Sequence, residues 1–354
     1  MKWHPSQSCV RVAIDCMGGD KAPGVIFEGL SLCAEEIGPA VFQLYGDPKA
    51  LDPLLKETQG KIKNRSISLE IIPAEDAISS DMKPAVALRS HRNSSLGLAV
   101  RAVREQKADA ILSAGNTGAF MALTKVMLGM LAGIDRPAIA TFLPTVKGRS
   151  LVLDLGANAE CSARNLVEFA FMGEALAQVC LEIPAPSVGL LNIGSEDTKG
   201  NHVVQGAANI LKKTQLLKNY QGFVEGTDLS VGTVDVIVTD GFTGNVALKT
   251  EEGAIHFIKD QIKIAMDHSI GAKIGAFLLY QPLKKVFSRM DPRLYNGAVL
   301  LGLSSLAVKS HGGADGFAFA QALKFTVNVA RQNLLARVKT YIDKLSSLEG
   351  TLSS

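Results

Sequence analysis

The chain reads as an α/β protein, a mostly parallel sheet with helices on both faces. Three observations lead there. Short aliphatic and β-branched runs alternate with amphipathic stretches of helical length along most of the chain. Val236, Ile237 and Val238 form the short β-branched run expected of a strand buried on both faces. Several of the runs end in glycine beside Asp, Asn, Ser, Thr or Lys just before the next helix, the form of a βα turn. The clearest case is 235–249, Asp-Val-Ile-Val-Thr-Asp-Gly-Phe-Thr-Gly-Asn-Val-Ala-Leu-Lys. There Thr243 is the expected helix N-cap, Lys249 falls one to two turns in, and the junction suits an anion.

In order, a strand at 10–14 ends in Asp15-Cys16-Met17-Gly18-Gly19-Asp20, and Pro23 starts a helix to about 37. Strands at 41–45 and 66–72 flank a short helix. Pro84 opens a long helix to about 104 carrying Arg89, His91 and Arg92. A strand at 108–112 leads into Ser113-Ala114-Gly115-Asn116-Thr117-Gly118-Ala119 and another helix. Strands at 138–143 and 151–155 follow, the second ending in Gly156-Ala157-Asn158-Ala159-Glu160 before a helix to about 180. The strand at 188–193 runs into Asn192-Ile193-Gly194-Ser195-Glu196-Asp197-Thr198-Lys199-Gly200-Asn201. Beyond 235–249 come helices across 250–290, strands at 298–303 and 307–309, His311-Gly312-Gly313, and a final helix from about 315 past Tyr341.

At 354 residues, with 33 glycines and 47% hydrophobic content, this describes a single α/β domain at 8–345. It would include an amphipathic helical segment at 255–292 and end in a polar tail at 346–354. A net charge of +3 without a Lys/Arg-rich block gives no reason to expect nucleic acid. Cys9, Cys16, Cys33, Cys161 and Cys180 are scattered, which excludes a simple disulfide framework or zinc motif and fits a reducing cytosol. Met1-Lys2-Trp3-His4-Pro5 has no apolar run behind its charge, so no signal peptide is expected. No stretch reaches the ~18 apolar residues of a membrane span.

In a parallel sheet the ligand crevice lies beyond the carboxyl ends of the strands. The turns at 15–20, 113–119, 154–160, 192–201 and 239–245 are expected to converge on one crevice. Neither a P-loop nor a dinucleotide fingerprint is present, so a small-anion pocket is the better expectation. Ser113, Asn116 and Thr117 offer donors at a helix start, Lys199 and Lys249 supply charge, and Arg89 or Arg92 could add a planar fork. The plainer alternatives are capping for Ser113, Asn116 and Thr117, a solvated lysine for Lys199, and an amide-orienting turn for Asp154. Cys16 could be a nucleophile with His311 as base, although cysteine is commonly a small buried hydrophobe. No metal-ligand spacing is found, and no cofactor is expected.

Between 262 and 290, Ile270, Ile274, Phe277, Leu278, Leu283, Val286, Phe287 and Met290 recur at helical spacing with Lys263, Lys273, Lys284, Lys285 and Arg289 interleaved. Pro282 is expected to kink or divide the helices. Such a pair either packs on the body or a second subunit, or meets an anionic membrane or acidic partner.

Taken together, Ile14-Asp15-x-Met17-Gly18-Gly19-Asp20, Ser113–Ala119, Leu153-Asp154-Leu155-Gly156-Ala157-Asn158, Leu191-Asn192-Ile193-Gly194 with Lys199-Gly200, Asp240-Gly241-Phe242-Thr243-Gly244-Asn245, Tyr295-Asn296-Gly297-Ala298 and Lys309-Ser310-His311-Gly312 resemble the bacterial acyl-acyl-carrier-protein:phosphate acyltransferases. The resemblance runs in order from about 10 to about 335. Glu160 departs from it, since the family commonly has Asp there. The resemblance implies a fold similar to phosphate acetyltransferases and isocitrate-type dehydrogenases. It also implies a homodimer that makes acyl phosphate from acyl carrier protein thioester and inorganic phosphate without metal or cofactor. The product would feed a membrane glycerol-3-phosphate acyltransferase. On that basis Lys199, Asn245 and Asp240 are the expected catalytic residues. Gly18, Gly19, Asp20, Ser113, Asn116, Thr117, Asp154, Asn158, Lys249 and His311 are the expected substrate contacts. The expected location is the cytoplasm, at the inner face of the membrane, with 262–290 as the contact.

Overall fold

The computed structural model describes residues 9–352. The signal-peptide reading of 1–5 and the last two residues of the 346–354 tail lie outside the described residues. In chain order the elements begin β1 Val10–Asp15, α1 Gly24–Cys33, β2 Ala40–Gly46, α2 Pro48–Lys61, β3 Ile67–Pro73, α3 Pro84–Ser90 and α4 Ser95–Arg104. Then come β4 Ala110–Ser113, α5 Thr117–Leu128, β5 Ala138–Thr145, β6 Gly148–Leu153, α6 Ala163–Leu181 and β7 Val188–Leu191. After these are α7 His202–Thr214, β8 Tyr220–Val224, α8 Asp228–Val231, β9 Val236–Val238, α9 Gly241–Asp267 and α10 Ile270–Arg289. A short 3-10 helix at Pro292–Tyr295 precedes β10 Ala298–Leu301, β11 Leu306–Lys309, α11 Gly316–Arg331 and α12 Leu334–Leu352.

All these strands join one sheet, in the order β3-β2-β1-β4-β11-β10-β5-β6-β9-β7-β8. The strands alternate as the β period dictates. Val12, Ile14, Leu112, Leu151, Leu153, Val236 and Val238 point into a core shared with α1, α6, α7, α11 and α12. Ala13 and Ile111 point the other way, onto α3, α4 and α5. Val152 and Ile237 meet Leu229 of α8 and Ala247 and Leu248 of α9 on that second face.

The sheet changes polarity in the middle. From β3 through β11 neighbouring strands are parallel, and so are β6, β9, β7 and β8. Between the two blocks β11–β10, β10–β5 and β5–β6 are antiparallel. Three reversals in succession leave the second block running opposite to the first. Its carboxyl ends therefore open at the other edge of the sheet.

Several local expectations are corrected. The helix expected over 84–104 is split, because Ser94 caps α4 through Gly97 N–H at 3.2 Å. The helix expected from 315 onward breaks at Gln332 and Asn333, the latter with φ of +50°. The tail expected from 346 is helical to Leu352. Pro282 sits inside a continuous α10, and the division falls instead at Ser269, which caps α10 through Ala272 N–H at 3.1 Å.

Beyond its first turns α9 leaves the body, and α9 and α10 project together. Gly241 and Gly244 are the buried residues of α9, and none is buried on α10. Phe257, Ile264, Ile270, Ile274, Phe277, Leu278 and Leu279 are exposed. The body of this chain does not cover the apolar side of the pair. Among the described residues no helix is long and apolar enough to cross a membrane.

Candidate active site

The polarity change divides the expected crevice in two. The turns at 15–20 and 113–119 follow β1 and β4, and His311 follows β11; these share the first edge. The turns at 154–160, 192–201 and 239–245 follow β6, β7 and β9 and share the opposite edge. Convergence of all five turns within one chain is therefore corrected.

At the first edge the centre is Asp15, 2% exposed. Its carboxylate accepts the Ser95 hydroxyl at 2.6 Å and the Ser113 hydroxyl at 2.7 Å. Burial raises its pKa, and those hydrogen bonds, the Met17 N–H and the charge of Lys309 pull the other way. The Asp15 turn and the Ser113 turn touch backbone to backbone. A Cβ on Gly18 would lie 2.3 Å from Asp15 Oδ2 and 2.8 Å from Gly115 Cα, so only glycine fits. Gly19 has φ of +113°, in the region glycine favours.

The third turn is tied to both others. Asp20 N–H donates to the Gly312 carbonyl at 3.0 Å, and Ser310 N–H to the Ser113 carbonyl at 2.9 Å. Asn296 secures it from below, its amide donating to Ser310 Oγ at 2.8 Å and its oxygen accepting His311 N–H at 3.0 Å. The His311 ring is exposed, and its Nδ1 accepts Gly313 N–H at 3.1 Å. Gly18, Gly19, Asp20, Ser113, Asn116, Thr117 and His311 are thus brought together.

Their side chains are unequally free. Ser113 spends its hydroxyl on Asp15 and on Gly115 N–H at 3.0 Å. Asn116 caps α5 through Ala119 N–H at 3.0 Å and donates to the carbonyls of Ser79, Ser80 and Met82. These two hold the edge in shape. Thr117, first residue of α5, and His311 are exposed. Lys309 belongs to the Lys309-Ser310-His311-Gly312 segment but is not one of the contacts expected from the sequence. It ends β11, half-buried, and burial lowers its pKa to about 8 against the opposing pull of Asp15 and Asp20. Arg92 turns its Nε to the Leu88 carbonyl at 2.8 Å. Cys16 is fully buried, and burial together with Asp15 pushes its thiol well above the usual range. That favours the core-hydrophobe reading over the nucleophile.

At the second edge Asp154, 0% exposed, organises its turn. One oxygen accepts N–H of Ile139 at 2.9 Å, Gly156 at 3.2 Å and Ala157 at 3.0 Å. The other accepts Asn158 N–H at 2.8 Å and its side-chain amide at 2.9 Å. Asn158 also donates to the Pro137 carbonyl at 2.7 Å. The start of α9 is pressed onto this turn, since a Cβ on Gly244 would lie 2.0 Å from the Asp154 carbonyl oxygen. The N-cap of α9 is Asp240, not Thr243 as expected. Asp240 accepts Thr243 N–H and Thr243 Oγ1, each at 2.8 Å. Asn245 lies beside Gly156, its exposed side chain 3.6 Å from where a Cβ would stand. Lys199 is exposed in the turn after β7, and Asn192 holds its carbonyl at 3.1 Å. Lys249 points outward and pairs with Glu252 at 2.7 Å. Glu160 is exposed, its carbonyl accepting Arg136 at 3.0 Å.

The fatty acid synthesis protein family matches residues 10–337. The phosphate acyltransferase of Rhodospirillum rubrum is 47% identical over 342 residues, covering 97% of each chain. That of Paramagnetospirillum magneticum is 46% identical over 342 residues, 97% of this chain and 96% of its own. Among solved structures a phosphotransacetylase from Streptococcus pyogenes superposes with a TM-score of 0.59 at 15% identity, covering 92% of this chain and 94% of its own. A branched-chain phosphotransacylase from Enterococcus faecalis gives 0.57 at 12% identity, covering 92% and 100%. The molecule is an acyltransferase, on the fold those phosphotransacylases share. It belongs to the fatty acid synthesis protein family, in the company of the bacterial phosphate acyltransferases.

Proposed function

We propose that the enzyme transfers a fatty acyl group from the thioester of acyl carrier protein to inorganic phosphate, releasing acyl phosphate and the free carrier thiol. The acyl phosphate would then feed glycerol-3-phosphate acylation in phospholipid synthesis. The observation that carries this reading is the first edge, where three βα turns bound to one another present a half-buried lysine and the start of α5 at one place. Phosphate is itself the nucleophile, so the task is to hold it against the thioester carbonyl, largely an entropic one. As the C–S bond breaks, the proton given up by phosphate balances the one gained by the thiol. A thiol with a pKa of roughly 8.5 leaves with little help.

Thr117 and His311 stand at the open side of this edge, with Gly18, Gly19 and Asp20 as its floor and Ser113 and Asn116 as its frame. Lys199, Asn245 and Asp240 face the other edge and would enter the reaction through a homodimer, in which the second edge of one copy meets the first edge of its partner. Favouring that arrangement, α9 starts at the second edge and runs directly into the uncovered apolar pair. Asp154, Asn158 and Lys249 would serve the same edge, the first two by shaping it.

The test is phosphate-dependent release of free thiol from palmitoyl-acyl carrier protein. Wild type is expected to release thiol only with phosphate, and Lys199→Ala to lose most of that rate. If Lys199 acts across the dimer, Lys199→Ala mixed with an inactive first-edge variant regains part of it. Release that ignores phosphate, or a preference for acetyl-coenzyme A, contradicts the assignment.

The apolar faces of α9 and α10, with Lys263, Lys273, Lys284 and Lys285 interleaved, suit an anionic bilayer as well as a second copy. We place the enzyme in the cytoplasm at the membrane's inner face, where a glycerol-3-phosphate acyltransferase would receive its product. Phe277 and Leu278 are 81% and 73% exposed. Charged replacements at both are expected to reduce sedimentation with anionic liposomes while sparing turnover of soluble substrate. Unchanged sedimentation would remove 262–290 as the contact.

A further inference from the structure

We propose that Lys309 is the cation that binds the reacting phosphate at the first edge, with buried Asp15 as the counter-charge that keeps it in place. The proposal rests on the phosphate acyl-transfer reading above.

Ser113 is the register partner of both Asp15 and Lys309, so the three stand in one row across β1, β4 and β11 at their carboxyl ends. Asp15 is fully enclosed, and the hydroxyls of Ser95 and Ser113 occupy its oxygens. It acts on Lys309 as a fixed charge. A half-buried ammonium costs free energy unless hydrogen bonds and counter-charges offset its lost hydration. Lys309 donates to the Ser310 carbonyl, one use of the three N–H donors an ammonium carries. Asp15 and Asp20 draw it by charge. Among the described residues no ion pair closes between Lys309 and either carboxylate. Donors are left for an anion, and beside this row the Asp15 and Ser113 turns are locked together backbone to backbone at Gly18 and Gly115, which fixes Asp15 in place.

Lys199 and Lys249 offer no comparable setting. Lys199 is exposed at the other edge, and Lys249 is paired with Glu252 at 2.7 Å.

The placement has a pH signature. The charged groups facing Lys309 are Asp15 from β1 and Asp20 from the turn that follows; β4 and α4 contribute the neutral Ser113 and Ser95. Burial lowers the ammonium to about 8. Phosphate binds the protonated form, so affinity is full below that pH and falls as pH rises through it. A lysine with only a packing role would not tie phosphate affinity to that titration.

The experiment is steady-state kinetics of wild type, Lys309→Met and Lys309→Arg, varying phosphate between about pH 7 and pH 9.5 with melting followed in parallel. Lys309→Met is expected to raise KM for phosphate about 10- to 100-fold, with a much smaller change in KM for the acyl thioester. Arginine stays charged across this range. Lys309→Arg should therefore recover part of the affinity and abolish the rise in KM that wild type shows above about pH 8. A wild-type KM for phosphate in Lys309→Met, or an Arg variant that keeps the alkaline rise, overturns the assignment. Should Lys309→Met fail to fold, the pH profile of Lys309→Arg decides. Wild type without any phosphate-dependent release brings down the acyl-transfer reading, and the assignment with it.

Discussion

Replacing Asp154 with alanine is expected to cost about 4 kcal/mol or more of folding stability. The carboxylate is wholly buried and accepts the backbone N–H groups of Ile139, Gly156, Ala157 and Asn158 together with the Asn158 side-chain amide. Alanine leaves these donors without an acceptor, and each buried orphan costs roughly 1–3 kcal/mol before relaxation and water recover part of it. The loss spreads beyond the turn. Ile139 lies in β5, and α9 is stacked so closely on the turn that Gly244 has no room for a Cβ. The expected drop in melting temperature is about 6 °C. Asp154→Asn keeps one acceptor oxygen and should fall between. A variant melting within about 2 °C of wild type would show that the turn is not organised by this carboxylate.

Gly18→Ala should act on turnover more than on folding. The added methyl would meet Asp15 Oδ2 at 2.3 Å and Gly115 Cα at 2.8 Å, so the Asp15 and Ser113 turns must move apart. Misplacement on the order of 1 Å in a site that works by positioning can lower turnover about 100-fold. The expected result is a folded enzyme with turnover reduced by about that factor, measured beside a melting curve. Unimpaired turnover would move the reaction away from the first edge.

The contrast between Asp15 and Asp154 shows what the sequence reveals. Asp15 and Asp154 both end apolar strands and precede glycine, so local pattern makes them equivalent and predicts the βα turn correctly in each case. What separates them is strand direction, and that depends on pairings between residues far apart in the chain. Val299 pairs with Ala140 and Ala298 with Lys309. The β5–β6 hairpin that completes the reversal turns through Val146 and Lys147, without the Asn-Gly or Asp-Gly signal that would have announced it. In β8, Gly222 has φ of +82° where the register with β7 shifts, and a glycine there weakens the strand pattern.

Lys309 illustrates the other kind of gap. It lies in a recognisable Lys-Ser-His-Gly segment, yet the sequence carries no sign of how deeply a lysine is buried. Lys199 stands in a glycine turn with obvious anion-binding character, so the sequence alone favours it. The structure separates the two by burial and by sheet edge. Type and position in the turn single out Ser113 and Asn116, but their hydrogen bonds go to Asp15, Gly115, Ala119 and the 79–82 loop. Their contribution is the shape of the edge.

The measurement that bears most directly on the account is phosphorus NMR of the enzyme with palmitoyl-acyl carrier protein and inorganic phosphate. A new acyl phosphate resonance growing in step with free carrier thiol is the predicted result. Thiol release accompanied by free fatty acid, with the inorganic phosphate signal unchanged, would contradict it.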